Sequence, residues 1–297
     1  MRITVVTPTH IASGLIDEAI ASVPRHPGGA VEHIVVHDLA PGDAAALAAR
    51  HPQLLLLAGS GDGPTEAAAR GFAAATGDFV IQLNSDDRLT PEAFVRLAEC
   101  ATQRPEVEVW TGGARIFRVD DGREITVRRI VSRAATALNL ANALDDVGLM
   151  TARFIRRDVF ARIGNLDRRF AAASDREFML RAVLAGIIEE GLGVVVSEMR
   201  QHPGSRTLGG TAAVPEYLTA HLALADLRLA DTGLAKSTRR AIRNWRARTA
   251  LALAVYQART GALRAAAQTL GEAARRDHLW WLRAGTVVAV LYRRRRG

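Results

Sequence analysis

The chain has 297 residues of ordinary apolar content, and its most unusual overall property is an uneven distribution of charge. The formal net charge is +8, but residues 236–297 hold 15 Lys and Arg against 2 Asp and Glu, a balance of +13, which leaves 24 against 29 in residues 1–235. The single cysteine, Cys100, excludes a disulfide framework and a cysteine-ligated metal centre. The first residues resemble a strand rather than a secretory leader, and no apolar run reaches the ~18 residues of a membrane span, so a cytoplasmic protein is expected.

Short apolar runs alternate with helical patterns over the first hundred residues. Strands are predicted at 3–7, 33–36, 54–57 and 79–83, and helices at 15–22, 43–50, 65–75 and 91–101. This repeated β-α rhythm predicts an α/β fold with a mostly parallel sheet and helices on both of its faces.

The rhythm changes in the rest of the chain. Apolar runs at 107–110, 114–119 and 124–131, with Asp121-Gly122 between the last two, predict an antiparallel section. Helix is expected over 157–187 and a strand at 194–198, followed by helices at 216–229, 237–258, 262–275 and 279–296. We therefore predict a first domain at 1–210, with halves of about 1–106 and 107–210, and a basic α-helical C-terminal region at 211–297.

Two adjacent carboxylates, Asp86 and Asp87, directly follow the predicted fourth strand. In an open α/β sheet, ligands bind at the carboxyl ends of the strands. Neighbouring carboxylates repel each other, and a hard divalent cation that carries substrate phosphates is their usual partner. The alternative is a strand end that leads into a helix, with Pro91 at the first helical position.

Four segments of the chain keep the order and spacing of one enzyme family. They are Val5–Thr9, Glu66–Asp78, which ends in Ala-Thr-Gly-Asp, Leu83–Asp87 and Phe154–Phe178. Together they resemble the inverting glycosyltransferases of family 2, over roughly residues 2–205. The resemblance implies a GT-A-type, Rossmann-like fold and metal-dependent transfer from a nucleotide diphosphate-sugar, a UDP-sugar being favoured. It also implies a saccharide or glycolipid acceptor, surface polysaccharide or glycolipid synthesis, and a nucleotide-sugar half followed by an acceptor half.

The resemblance implies a role for each candidate residue. Asp87 and Asp86 would hold Mn²⁺ or Mg²⁺, and His202 would complete the metal shell unless it belongs to a simple surface turn. Asp175 would be the general base, although a carboxylate at a helix N-terminus is also a common cap. The expected nucleotide-sugar contacts are Thr7, Pro8, Thr9, Asp38 (or its neighbour His37), Asp62, Arg70, Asn84, Asp86 and Arg206.

Several alternatives remain open on the sequence alone. The basic C-terminal region could contact an anionic membrane, cap the first domain or bind nucleic acid; the last has no recognised motif and is not expected. An NAD(P)-dependent oxidoreductase of Rossmann type is suggested by the glycines of 59–63, but Pro64 stands where the third glycine belongs. A non-catalytic nucleotide-sugar-binding relative would be expected to lose Asp87 or Asp175, and both are present.

Overall fold

A computed structural model describes residues 1–11, 13–24, 30–130, 138–145, 150–205 and 213–283. The strands are β1 (Arg2–Thr9), β2 (Ala30–His37), β3 (Leu55–Ala58), β4 (Phe79–Gln82), β5 (Arg88–Leu89), β6 (Val109–Asp120), β7 (Arg123–Ile130), β8 (Arg153–Arg156) and β9 (Glu189–Arg200). The helices are α1 (Gly14–Ser22), α2 (Pro41–Arg50), α3 (Pro64–Ala74), α4 (Pro91–Gln103), α5 (Leu140–Asp145), α6 (Arg157–Ile163), α7 (Ser174–Leu184), α8 (Val214–Ala230), α9 (Lys236–Arg259) and α10 (Leu263–Arg276). Short 3-10 helices lie at Met150–Ala152 and Arg168–Ala173.

One sheet contains all of these strands, in the order β3-β2-β1-β4-β8-β6-β9-β5, with β7 paired to β6. The first four strands are parallel to one another, whereas β8 lies antiparallel between β4 and β6. The β6–β7 hairpin is antiparallel, as Asp121-Gly122 predicted, and both turn residues have positive φ angles. The α/β fold expected from the sequence is confirmed.

The carboxyl ends of β1 and β4 meet at one edge of the sheet because the two strands are parallel neighbours, and β1 is tightly packed. Every residue of β1 after Arg2 is buried. A Cβ atom on Gly71 of α3 would lie only 2.2 Å from Cγ1 of Val6, so this glycine lets the helix pack directly on the strand. Three helices that leave this parallel part of the sheet begin with proline, whose missing N–H costs nothing in the first helical turn.

Two details of the second half differ from the sequence prediction. The runs at 107–110 and 114–119 belong to one continuous strand, β6, which begins only at Val109; Gly112 and Gly113 between the runs made them look separate. A Cβ atom on Gly112 would lie 2.1 Å from the Val196 side chain, so the glycine is needed for the close approach of β9. The strands β5 and β8 were not predicted, because β5 has only two residues and β8 has only two apolar residues, Phe154 and Ile155, between arginines.

The chain divides into two compact units, Met1–Gly209 and Gly210–Gly297. In the second unit α9 packs against α8 and α10. The buried Arg246 donates to Asp226 at 2.5 Å, and the rings of His221 and Trp245 lie 5.6 Å apart. Among the described residues, no helix is both long enough and apolar enough to cross a membrane. Most of the helix predicted at 279–296 lies outside the described residues.

Candidate active site

The turn between β4 and β5 presents an acidic pair at the carboxyl edge of the parallel strands. Asp87 is only 4% exposed. Its Oδ1 accepts a hydrogen bond from the backbone N–H of Arg200 at 2.8 Å, and its Oδ2 accepts one from Nδ2 of Asn84 at 2.8 Å. Gln82 fixes the amide of Asn84 in turn, through a 3.0 Å bond to its Oδ1. The predicted site residues Asn84 and Asp87 are therefore joined directly.

The Asp87 carboxyl lies in an environment that opposes its negative charge. Burial, and secondly the charge of Asp86, raise the pKa of Asp87 to about 7, although the hydrogen bonds from Arg200 and Asn84 and the nearby His202 act in the opposite direction. The hydrogen bonds and the nearby histidine therefore offset only part of the free-energy cost of burying the charge of this carboxylate. A bound cation would favour its charged form.

His202 contacts the other acid of the pair. Its Nε2 lies 2.9 Å from Oδ2 of Asp86, and its Nδ1 accepts the backbone N–H of Gly204 at 3.2 Å. Because the N–H of Gly204 can only donate, the ring proton is assigned to Nε2, which donates to Asp86. In this arrangement His202 orients Asp86, and it would ligate a cation only after giving up that bond.

The donor atoms at this corner suit a hard divalent cation. Carboxylate oxygens match the preferences of Mn²⁺ and Mg²⁺. Within the part of the chain that the structure describes, no three His, Cys, Asp or Glu side chains form a complete metal site.

Asp175 lies in the first turn of α7. Burial raises the pKa of Asp175, whereas a 3.4 Å hydrogen bond from Ser174 and the charge of Arg153 oppose the rise. The N-cap position of this helix is occupied by Ala173, so Asp175 is not the capping residue. The Ser174 hydroxyl also lies 3.3 Å from that of Thr65, which joins the start of α7 to the start of α3.

The three predicted nucleotide contacts on β1 are all buried. Thr7 is fully buried, and its hydroxyl lies 2.9 Å from Nε2 of His33. Pro8 is also buried, while Thr9 is 4% exposed and donates from its hydroxyl to the backbone oxygen of Ile11 at 3.0 Å. These side chains shape the end of the strand and the turn that follows it.

The remaining predicted contacts lie on the neighbouring loops. Asp38 follows β2, and its Oδ1 accepts the backbone N–H of Gly61 at 2.9 Å, which links two of the loops at this edge. Asp62 and Arg70 are exposed, Asp62 in the loop before α3 and Arg70 on that helix. Arg206 lies outside the described residues, so its predicted phosphate contact stays a prediction.

Sequence reasoning missed the contribution of Arg200. Its backbone N–H binds Asp87, its Nε donates to the backbone oxygen of Asp86 at 3.3 Å, and its guanidinium also bonds to Glu18. The late strand was predicted to end at residue 198, which left Arg200 in a loop. The available signal was its position two residues before the candidate His202.

Comparison with known proteins identifies the family. The family model described as Glycosyl transferase family 2 matches residues 4–164. The chain belongs to glycosyltransferase family 2. This membership confirms the resemblance inferred from the four segments and argues against the oxidoreductase alternative.

One relative by sequence and one solved structure illustrate the similarity of this glycosyltransferase family 2 chain to known proteins. O-antigen biosynthesis protein RfbC of Myxococcus xanthus is 31% identical over 188 residues, which cover 60% of this chain and 14% of that protein. The chain therefore spans a small part of this relative's length. S. aureus TarS 1-349 in complex with UDP-GlcNAc shares the fold, with a TM-score of 0.62, 16% identity, and coverage of 85% of this chain and 73% of that one.

A second TarS structure supports the same fold. TarS 1-349 gives a TM-score of 0.59 at 17% identity, with 85% of this chain and 72% of that chain covered.

Proposed function

We propose that this chain is a metal-dependent, inverting glycosyltransferase that moves a sugar from a nucleotide diphosphate-sugar to an acceptor hydroxyl. The observation that carries the proposal is the acidic corner at the carboxyl edge of the sheet, where the buried Asp87 lies beside Asp86 and within reach of His202. Family membership supports the reaction class.

Asp86 and Asp87 would hold the cation at this corner, with His202 able to join them by turning from Asp86. A bound Mn²⁺ or Mg²⁺ would supply screening of the charge that develops on the leaving diphosphate. The protein contributes the fixed geometry, since Arg200 and Asn84 hold both oxygens of Asp87 before any substrate arrives.

Asp175 is proposed to accept the proton of the acceptor hydroxyl as its oxygen attacks the anomeric carbon, from the face opposite the departing diphosphate. One bond forms and one breaks at that carbon, so its configuration inverts. Because burial raises the pKa of Asp175, the carboxylate takes up a proton more readily than an exposed aspartate.

The substitution Asp175→Asn tests this role. We expect kcat to fall by ~10²–10⁴-fold while binding of the nucleotide diphosphate is unchanged. The matched control is Asp158→Asn, which neutralises an exposed acid in the first turn of α6. Unchanged turnover in the Asp175 variant would reject the base assignment.

A UDP-sugar is the proposed donor, and the UDP-GlcNAc held by the structural neighbour supports this choice. The name of the relative RfbC supports a saccharide or glycolipid acceptor in surface polysaccharide synthesis. A panel of UDP-, GDP-, CDP- and dTDP-sugars, assayed for release of the nucleoside diphosphate in the presence of Mn²⁺, tests the donor. Release from none of them, with or without Mn²⁺, would reject transfer from these donors.

Peripheral contact with an anionic membrane at the cytoplasmic face is proposed for the C-terminal helices. Leu279, Trp281 and Leu282 are 39%, 57% and 53% exposed, and they follow the basic last turn of α10, where Arg275 and Arg276 lie. Apolar and basic side chains in such proximity favour the surface of an anionic bilayer.

Vesicle flotation of the full chain tests this contact. We expect binding to vesicles that contain phosphatidylglycerol, and loss of binding in the double variant Trp281→Ala, Leu282→Ala. Val95→Ala on α4, an apolar residue 50% exposed, is the control. Equal flotation of the double variant and the unaltered chain would refute the proposal.

A further inference from the structure

A group of charged side chains surrounds one buried ring behind the acidic corner. We define the Phe117 cluster as Phe117, Arg88, Arg115, Arg200, Glu124 and Glu198. Phe117 of β6 has no exposed surface. The guanidinium carbons of Arg88, Arg115 and Arg200 lie 4.5, 4.8 and 4.9 Å from the centre of its ring, within the range of a cation–π interaction.

The two acidic residues of the cluster pair with two of the three arginines that share the ring. Glu124 pairs with Arg88 at 2.8 Å and with Arg115 at 2.9 Å. Glu198 pairs with the same two arginines, at 3.0 and 2.7 Å. Each carboxylate therefore bridges two guanidinium groups, and the shared ring and acids link β5, β6, β7 and β9 into one network.

Two arginines of the cluster connect directly to the acidic pair. Arg88 follows Asp87 in the chain, so the position of its side chain constrains the turn. Arg200 donates its backbone N–H to Asp87 and its Nε to the backbone oxygen of Asp86. Both guanidinium groups rest on the same buried ring, so a change at Phe117 is transmitted to both acids.

We propose that Phe117 and Arg200 are positioning residues, which set the placement of Asp86 and Asp87 for binding a nucleoside diphosphate with its divalent cation. The inference rests on the proposed function. Neither side chain is placed on substrate; each acts through the two acids. A displacement of about 1 Å in a preorganised site can lower the rate of a reaction ~10²-fold. Even a small shift of the turn that carries Asp86 and Asp87 should therefore have a measurable effect.

The experiment compares variants of the full chain by calorimetric titration with nucleoside diphosphate and Mn²⁺. The probe is UDP, GDP, CDP or dTDP, whichever the unaltered chain binds most tightly. We expect Phe117→Leu and Arg200→Met each to raise the dissociation constant about tenfold or more, and Arg200→Lys to recover part of the loss because it keeps the charge without the planar fork.

Matched controls separate positioning from a general loss of stability. Phe94→Leu alters another fully buried ring, which packs edge-on against Phe154 at 5.3 Å in the core. Arg118→Met removes a half-exposed arginine next to Phe117 on β6. The melting temperature should fall in both Phe variants, but only Phe117→Leu should weaken binding.

The outcomes distinguish the inference from the function on which it rests. If the unaltered chain binds no nucleoside diphosphate with Mn²⁺, the proposed function fails, and the inference fails with it. If the unaltered chain binds and Phe117→Leu binds equally well, or if Phe94→Leu weakens binding as much, only the positioning role is refuted.

Discussion

Protonation of the buried His33 should limit the stability of the parallel part of the sheet in acid. His33 lies on β2 against Thr7, and burial, with a smaller contribution from the charge of His51, lowers its pKa from 6.5 to about 3. Between these values the unfolded chain binds a proton that the folded chain does not. The contribution of His33 to the free energy of unfolding is therefore fully present above pH 6.5. It is lost as the pH drops toward 3, by roughly 4–5 kcal/mol over the whole range.

The substitution His33→Gln tests this linkage, because glutamine can keep a hydrogen bond to Thr7 and does not titrate. We expect the free energy of unfolding of the unaltered chain to fall by roughly 2–3 kcal/mol between about pH 7.5 and pH 4.5 through this group, and the variant to lack that component. Urea unfolding followed by circular dichroism measures both. His278→Gln, at an exposed site, should follow the unaltered chain. Parallel pH profiles for the His33 variant and the unaltered chain would refute the reasoning.

Three further predictions follow from the packing around the site. Gly71→Ala should cost about 1–3 kcal/mol of unfolding free energy, because its Cβ would meet Val6, whereas Gly42→Ala on α2, with no atom within 4 Å, should change it little. Glu177→Ala should cost about 3–5 kcal/mol by leaving Arg181 without its buried carboxylate partner at 2.7 Å, and urea unfolding measures the loss. Asp38→Ala should raise the KM for the sugar donor about fivefold and leave kcat unchanged, since it removes the 2.9 Å bond to Gly61; an unchanged KM would contradict a role in loop placement.

The part of the fold that the sequence predicted well is the part with local signals. Each early strand is a short apolar run, and each following helix has its own period and, at Pro41, Pro64 and Pro91, its own start signal. The hairpin at Asp121-Gly122 could likewise be predicted from residues that are neighbours in the sequence. By contrast, β8 consists of four residues whose strand conformation depends on pairing with β4 and β6, and no local pattern records those partners.

The candidate site shows the same division between local and distant information. The sequence placed Asp86 and Asp87 at the end of a strand, and the structure agrees. Besides the local bond from Asn84, the hydrogen bonds that hold them come from Arg200 and His202, which are more than a hundred residues away in the chain. These contacts could not be predicted from the sequence, because they depend on how β9 pairs with β5 in the folded sheet.

The short strand β5 matters for the site because its pairing with β9 places Arg200 beside the acidic turn. Arg88 lies opposite Glu198 and Leu89 opposite Ser197 in an antiparallel register, so continuing the pairing toward the acidic turn brings Arg200 to the level of Asp86. A slip of one residue would turn the Arg200 side chain to the other face of the sheet. Two backbone pairs alone would specify that register weakly, whereas Arg88 and Glu198 add a direct ion pair and Phe117 adds a common contact for Arg88 and Arg200. The charged cluster behind the site and the acids within it are thus fixed by the same register.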